Sequence, residues 1–301
     1  MRLLLCLLSI ATQSAQQPAQ RAPVKSFVTV YTLADGSKKV IYSAEGFYQA
    51  PNWSPDGKYL LLNTPGKLWR LSLDGKIEPV DTGDVKGINN DHGISKDGKW
   101  FAISAGNIFV LPSSGGSPRQ VTNQTPSYFH GWSPDGRWLA YCARRGDNFD
   151  VYRISVDSGA EQRLTSNPRY DDGPEYSPDG KWIYFNSNRS GSWDIWRMPP
   201  DGAGANDAKA ERITSDEYED WFPHASPNGK WLVFISFEKG IPDHPPNKNV
   251  TLRMMRLPGR KPRKPDIREL VKLFGGQGTI NVSSWSPDSK QFAYVSYELL
   301  H

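Results

Sequence analysis

One turn sequence occurs six times in this chain and limits what it can fold into. Each copy reads Ser-Pro-Asp-Gly-Lys or a close variant, and Trp or Tyr precedes four of the copies. Proline presets φ for a tight turn and Asp-Gly or Asn-Gly supplies the bend, so each copy predicts a hairpin between two antiparallel strands. Successive copies lie 38 to 60 residues apart, which is typical of propeller blades. The turns begin at Ser54, Ser95, Ser133, Ser177, Ser226 and Ser286.

The fourth repeat shows the plan of one blade. Residues 172–176 predict strand A, and residues 181–185 predict strand B after the turn. A polar connection leads to strand C at 193–197, and a second turn leads to strand D at 211–214. The second and third repeats follow the same order. The sequence therefore predicts an all-β, six-bladed β-propeller with four antiparallel strands per blade.

The two ends of the chain complete one blade between them. The last repeat ends after strand B at 291–295, whereas two strands precede the first turn at 26–31 and 39–42. Unpaired strands would leave open sheet edges that promote aggregation. We therefore expect the N-terminal strands to join the last blade as its strands C and D, which closes the ring.

Composition is consistent with this fold and excludes one class of partner. The 301 residues include 11 Trp, 13 Tyr and 12 Phe, enough aromatic side chains to fill the space between blades. The formal net charge of +4 is small for this length, so we expect no nucleic-acid partner.

The N-terminal residues 1–15 resemble a secretory signal peptide. Arg2 precedes an apolar run at 3–11, and small and polar residues follow it. The run is too short to span a bilayer, so we expect no transmembrane anchor after removal of the leader.

We predict that a tether at 16–25 follows the leader and that a single propeller domain occupies 26–301. Removal of the leader would leave Cys142 as the only cysteine, so the mature protein would have no internal disulfide. An exported protein of this kind is expected in a bacterial periplasm or outside the cell.

The repeats resemble the WD40-like PD40 repeat of the TolB-type six-bladed propellers over about residues 26–297. Trp-Ser-Pro-Asp-Gly-Lys followed by an apolar strand, and Ser-Asn-Arg-Ser-Gly-x-x-Asp-Ile-Trp at 187–196, carry the likeness. The resemblance implies the propeller fold and leaves the activity open. Such repeats occur in binding proteins, in prolyl-oligopeptidase-type enzymes and in oligogalacturonate-lyase-like propellers that hold a metal. The chain has no G-x-S-x-G nucleophile elbow, which argues against the prolyl-oligopeptidase type.

Polar residues concentrate in the connections that a propeller places opposite its Ser-Pro-Asp-Gly turns, around one mouth of the central channel. We predict one ligand site there, in the sector of blades three to five, with the insertion at 237–250 as a flap. Arginines among acids would give the mixed charge that suits a ligand with a carboxylate, or a bound ion. The candidate residues are His130, Arg145, Asp171, Asp172, Glu175, Arg189, Asp220, Trp221, His224 and His244.

Two functions remain open from the sequence. The preferred hypothesis is an exported, monomeric TolB-like propeller that binds a protein, peptide or polar ligand at this mouth, without catalysis and without a cofactor. The alternative is a metal-assisted lyase or hydrolase acting on an acidic sugar or oligosaccharide. In that alternative, a divalent metal ion would be held by His130, His224 and His244 with Asp172 or Glu175, and Arg145 or Arg189 would hold the substrate. The acids could also form an acid/base pair. No short-range ligand motif such as His-x-x-x-His supports the metal.

Overall fold

The computed structural model describes residues 22–257, 259 and 266–300, and it arranges them as six blades around a channel. The predicted leader and the first part of the predicted tether lie outside the described residues. The first two strands are β1 (Val24–Thr32) and β2 (Lys38–Glu45). Strand β1 therefore begins two residues before the predicted start of the domain, because Val24 is already buried in the core.

Five blades follow one another along the chain, and each is a four-stranded antiparallel sheet in sequence order. Blade one contains β3 (Gln49–Trp53), β4 (Tyr59–Thr64), β5 (Lys67–Ser72) and β6 (Ile77–Pro79). Blade two contains β7 (His92–Ile94), β8 (Trp100–Ala105), β9 (Asn107–Pro112) and β10 (Arg119–Gln120). Blade three contains β11 (Ser127–Trp132), β12 (Trp138–Arg144), β13 (Phe149–Ser155) and β14 (Glu161–Arg163).

Blades four and five complete this series. Blade four contains β15 (Asp171–Tyr176), β16 (Ile183–Ser187), β17 (Asp194–Met198) and β18 (Glu211–Arg212). A one-turn 3-10 helix, Ala205–Asp207, lies between its last two strands. Blade five contains β19 (Glu219–Ala225), β20 (Trp231–Phe237), β21 (Pro246–Arg256) and β22 (Arg268–Gly276). Within the described ranges, no helix is long and apolar enough to cross a membrane.

The sixth blade joins the two ends of the chain, as predicted. Strand β23 (Gln291–Leu299) pairs antiparallel with β1, in a register that runs from Val24 opposite Leu299 to Thr32 opposite Gln291. Strand β1 in turn pairs with β2, so the blade contains strands from both termini. Its strand A is reduced to a single bridge between Trp285 and Phe292. The predicted ring closure is confirmed.

The repeated turn is held by its own side chains. In the fourth copy, the Ser177 hydroxyl donates to Asp179 Oδ1 at 2.7 Å and accepts from the Trp182 N–H at 3.0 Å. The Lys181 N–H donates to the same Asp179 oxygen at 3.2 Å. Equivalent bonds form in the other five copies, with Asn228 in place of aspartate in the fifth. The recurrence of these residues is therefore explained by the turn itself.

Burial shows which edge of each blade faces the channel. The first strands of blades four and five, β15 and β19, are buried along their whole length, although they are edge strands and rich in polar residues. The last strands β10 and β14 are exposed throughout. The A strands therefore line the channel and the D strands face solvent. Apolar side chains of adjacent blades, such as Trp221 and Phe292, pack together between them.

Candidate functional site

A cavity of about 810 Å³ lies at the channel mouth opposite the turns. Side chains from all six blades line it, so the site is wider than the predicted sector of blades three to five. A smaller cavity of about 210 Å³ lies on the turn side, and His130 borders both. The larger cavity is lined by Gln49, Asn63, Pro65, Gly66, Gly87, Ile88, Asn89, Asn90, Asp91, Gly106, Tyr128, His130, Phe149, Tyr170, Asp172, Phe222, His244, Gln277 and Asn281.

β-Bulges in the A strands direct polar side chains into the channel. Strands β3, β11, β15 and β19 each contain one, and a bulge turns the side chains that follow it. In β15 the bulge lies between Asp172 and Glu175, where Gly173 adopts a φ of +60°. A Cβ at Gly173 would collide with Asn186 Oδ1. As a result, Asp172 borders the larger cavity and Glu175 borders the smaller one.

Asp172 is the centre of the buried polar cluster. The Nε2 atom of His130 in blade three lies 3.1 Å from Asp172 Oδ1, and the Nε2 atom of His244 in blade five lies 3.5 Å from Oδ2. The Tyr170 hydroxyl donates to Oδ2 at 3.3 Å, and the Gly173 N–H donates to Oδ1 at 2.7 Å. One carboxylate therefore connects three successive blades. The sequence predicted that His130, Asp172, His224 and His244 share one site; the structure brings His130 and His244 to Asp172, whereas His224 contacts Glu175 and Ile280 instead.

The protonation of this cluster follows from burial and from its close contacts. Burial would raise the pKa of Asp172, but hydrogen bonds and charge from His130 and His244 outweigh it and hold that pKa well below 3.8. Burial would lower the pKa of His130, but Asp172, together with Asp91, raises it above 6.5. Burial also raises the pKa of the Asp91 carboxyl. The pair of His130 and Asp172 is therefore an ion pair in mildly acidic solution.

The connection between β20 and β21 brings His244 into the mouth, as the predicted flap required. The imidazole of His244 packs edge-on against the rings of Trp221, at 4.4 Å between centroids, and Phe222, at 5.1 Å. Trp221 is completely buried, so it supports His244 from behind and does not line the cavity. Strand β21 begins at Pro246, which shortens the insertion relative to the predicted 237–250.

Glu175 and His224 form a separate contact between blades. His224 Nδ1 lies 2.5 Å from Glu175 Oε2, and His224 Nε2 contacts the carbonyl oxygen of Ile280. The Trp285 indole N–H donates to the His224 carbonyl at 3.0 Å. Both ring nitrogens of His224 are thus engaged with blades four and six. This arrangement gives His224 a structural role and places it outside the larger cavity.

Four predicted site residues lie in ion pairs within the blades and do not line the mouth. Arg145 pairs with Glu161 at 3.0 Å, and Arg189 pairs with Asp171 at 2.7 Å. The Asp220 carboxylate accepts from the Ser236 hydroxyl at 2.7 Å and pairs with the Arg253 guanidinium. Asp171 and Asp172 separate because neighbouring residues of a strand point to opposite faces. The mixed charge that the two arginines were expected to supply is therefore not in the mouth.

The histidines predicted to bind a metal do not converge on one point. His130 and His244 share Asp172, whereas the ring nitrogens of His224 contact Glu175 and Ile280. Within the described residues, no group of three or more His, Cys, Asp or Glu side chains could hold a metal ion. The geometry therefore gives no support to the three-histidine ligand set.

Several lining residues were not among the candidate residues. Asp91 directly precedes strand A of blade two, in a connection that reaches the mouth. This position in the sequence would have identified Asp91 as a lining residue. Asn63 and Phe149 lie at the mouth-side ends of β4 and β13. Nothing in the local sequence distinguishes them from ordinary strand residues. The Arg144 guanidinium lies over the Phe149 ring, 5.4 Å from its centroid, but Arg144 does not line the cavity.

Comparison with known proteins identifies the family. The model of the TolB beta propeller domain matches residues 101–257. An uncharacterised protein of Agrobacterium fabrum is 47% identical over 282 residues, covering 91% of this chain and 93% of the relative. The structure of a putative TolB from Agrobacterium tumefaciens has a TM-score of 0.86 at 46% identity, covering 92% of this chain and 99% of that one. TolB from Acinetobacter baumannii has a TM-score of 0.59 at 20% identity, covering 81% and 66%, and shows the fold alone. This chain belongs to the TolB β-propeller domain family.

Proposed function

We propose that this protein is an exported propeller that binds a polar ligand at the mouth of its channel and does not transform it. The observation that carries the proposal is the cavity of about 810 Å³, which lies within the size range of small-molecule sites. Side chains from six blades converge on it, and they include the polar groups of Asn90, Asp91, His130, Asp172 and Asn281. A rigid ring that surrounds a polar cavity favours a ligand that enters the channel over a partner that only touches the surface.

The chemistry of the lining supports binding without catalysis. Among the described lining residues there is no serine, threonine or cysteine to act as a nucleophile beside His130. The pKa of Asp172 is held well below its usual value, so this carboxylate is too weak a base for proton transfer near neutral pH. We therefore assign Asp172 to positioning His130 and His244.

The acidic-sugar alternative finds no support in the charge of the mouth. Asp91 and Asp172 contribute carboxylates, and the described lining contains no lysine or arginine to hold a substrate acid. Asp172 is already paired with His130, so a uronate would approach the Asp91 carboxylate without a lysine or arginine of the described lining to bind it. We therefore propose no lyase or hydrolase activity for this site.

A mouth-blocking variant tests the location of the site. Pro65 is exposed at the rim of the cavity, and Pro55 is exposed in a turn on the opposite face of the same blade. Pro65→Trp should obstruct the mouth, and Pro55→Trp is the matched control. Thermal unfolding is measured with neutral saccharides, uronates, polyamines, amino acids and short peptides, each added separately.

A ligand at about 100 times its Kd should raise the melting temperature by about 5 °C. Pro65→Trp should abolish that shift, and Pro55→Trp should preserve it. A shift that survives Pro65→Trp and disappears in Pro55→Trp would place the site at the other face and refute the proposal. Mass spectrometry of the recovered ligand should show no change, and a converted product would refute the non-catalytic assignment.

A further inference from the structure

The mouth contains an asparagine side chain with no hydrogen-bond partner in the described part of the chain. Asn90 is 5% exposed and lines the cavity, yet its side-chain amide makes no hydrogen bond within the described part of the chain. The polar atoms of Asn90 are not sealed off from the cavity, so they bind either water or a ligand there. Because Asn90 borders an open cavity, its amide is available to a molecule inside it.

The neighbouring polar groups are held in fixed orientations. The Asn89 amide donates to Asp91 Oδ2 at 2.6 Å and accepts from the Asp91 N–H at 3.1 Å. This arrangement leaves the second Asp91 oxygen without a hydrogen bond in the described residues. Across the cavity, Asn281 Oδ1 accepts from the Gly278 N–H at 2.6 Å, and its Nδ2 has no partner among the described groups. The mouth therefore presents preorganised donors as well as acceptors.

Aromatic rings form another part of the cavity lining. The rings of Phe149 and Tyr170 stack at 4.8 Å between centroids, and Tyr128 stacks on Phe149 at 6.3 Å. All three are only partly buried, and all three line the cavity. Partly exposed aromatic rings beside a set of amides suit a molecule that has both an apolar surface and many hydroxyl groups.

The charges at the mouth favour a neutral ligand. Asp172 is paired with His130 and His244, which leaves the Asp91 carboxylate to disfavour an anion, and the described lining carries no lysine or arginine to attract one. An amine or other cation would only donate hydrogen bonds, so the donor groups of Asn90 and Asn281 would stay unpaired, and this is costly. A hydroxyl both donates and accepts, so a neutral polyol matches amides and a carboxylate together.

We propose that the ligand of the channel mouth is a neutral saccharide, held by Asn90, Asp91 and Asn281 and packed against the exposed parts of the Phe149 and Tyr170 rings. This inference rests on the proposed function, because it names the ligand class of the same cavity. The Asp91 carboxylate and the Asn90 amide bind adjacent hydroxyl groups, and the aromatic rings pack against the C–H face of the sugar ring.

Calorimetric titration of the mature chain tests this inference. The probes are three neutral trisaccharides, maltotriose, cellotriose and tri-N-acetylchitotriose, with trigalacturonate as the acidic and spermidine as the cationic comparison. At least one neutral trisaccharide should bind, and neither charged probe should compete with it. Asn90→Ala should weaken that binding about tenfold or more, the loss expected for a buried hydrogen-bonding group. Asn123→Ala, at an exposed asparagine outside the cavity, is the matched control and should leave the affinity unchanged.

The outcomes separate this inference from the proposed function. If none of the neutral trisaccharides binds, or if only trigalacturonate or spermidine binds, the saccharide assignment is wrong. If a charged probe binds to the unmodified chain and Pro65→Trp prevents that binding, the proposed function is still supported. If a trisaccharide binds with equal affinity to Asn90→Ala, Pro65→Trp and the unmodified chain, both the inference and the location of the site are wrong. Circular dichroism of each variant confirms that the ring is folded.

Discussion

Replacing Asp172 with asparagine should destabilise the ring more in mild acid than in alkali. The substitution keeps the size and one acceptor oxygen of the side chain, but it removes the charge beside His130 and His244. Because Asp172 and His130 are both buried, water cannot replace the lost interaction. Asp172→Asn therefore leaves the buried imidazolium of His130 without its counter-ion.

The pH dependence follows from the directions of the two pKa shifts. The pKa of His130 is raised above 6.5, so its contribution to stability is complete below 6.5 and disappears as the pH rises through the folded-state value. The pKa of Asp172 is lowered from 3.8, so its contribution is complete above 3.8 and is lost only in strong acid. Both contributions are therefore present between pH 3.8 and 6.5.

The expected magnitude comes from the burial of the pair. Breaking a buried ion pair costs about 3–5 kcal/mol of unfolding free energy. Because asparagine has the same size as aspartate, the loss for Asp172→Asn at pH 6 should lie near the lower end, at about 3 kcal/mol. In alkali the imidazole is neutral, and the loss should approach the roughly 1 kcal/mol of an ordinary hydrogen bond. Guanidinium unfolding followed by tryptophan fluorescence at pH 6 and pH 9 measures both values. Nuclear magnetic resonance titration should also show that the pKa of His130 falls in the variant, because burial then dominates.

Asp91→Asn is the matched control, since Asp91 lines the same cavity without a hydrogen bond to a histidine. Burial raises the pKa of Asp91, so removing its charge should cost no stability at neutral pH. Equal losses in the two variants, or a loss for Asp172→Asn that is the same at pH 6 and pH 9, would refute the ion-pair reasoning.

Three further predictions concern the ring and its export. Val28→Ala in buried β1 should lower the free energy of unfolding by about 2–3 kcal/mol, because the substitution removes two methyl groups from the core. Val40→Ala in the adjacent β2 is the control and should lower the free energy of unfolding by less than about 0.5 kcal/mol, because Val40 is 52% exposed. Equal urea midpoints for Val28→Ala and Val40→Ala would contradict closure of the ring by β1. Ser177→Ala should cost about 1–2 kcal/mol in the same assay, because the Trp182 N–H loses its acceptor; an unchanged midpoint would contradict this role. The mature chain should begin between residues 12 and 17 and be found outside the cytoplasm, and intact mass measurement of a cytoplasmic chain that retains Met1 would overturn the export proposal.

The architecture was predictable because its signals are local. Each turn is held by hydrogen bonds among residues at most five positions apart, as Ser177, Asp179 and Trp182 illustrate, so the turn has the same sequence wherever it occurs. The order of strands in a blade follows from these turns and from short connections. Ring closure was also predictable, because the two strands before the first turn are the ones missing from the last blade.

The composition of the mouth was decided by the tertiary structure. A step of one residue along a strand reverses the direction of a side chain, so Asp172 reaches the cavity and Asp171 pairs with Arg189 within blade four. The bulges in the A strands shift this alternation again, and no residue pattern marks where they occur. The lining also depends on strand ends from every blade, including Asn63 of blade one, which is distant in sequence from its neighbours in the cavity. The sequence by itself determined a closed six-bladed ring with polar connections at one mouth. Only the packing of the blades against one another determined which of those polar side chains face the cavity and which hold the ring together.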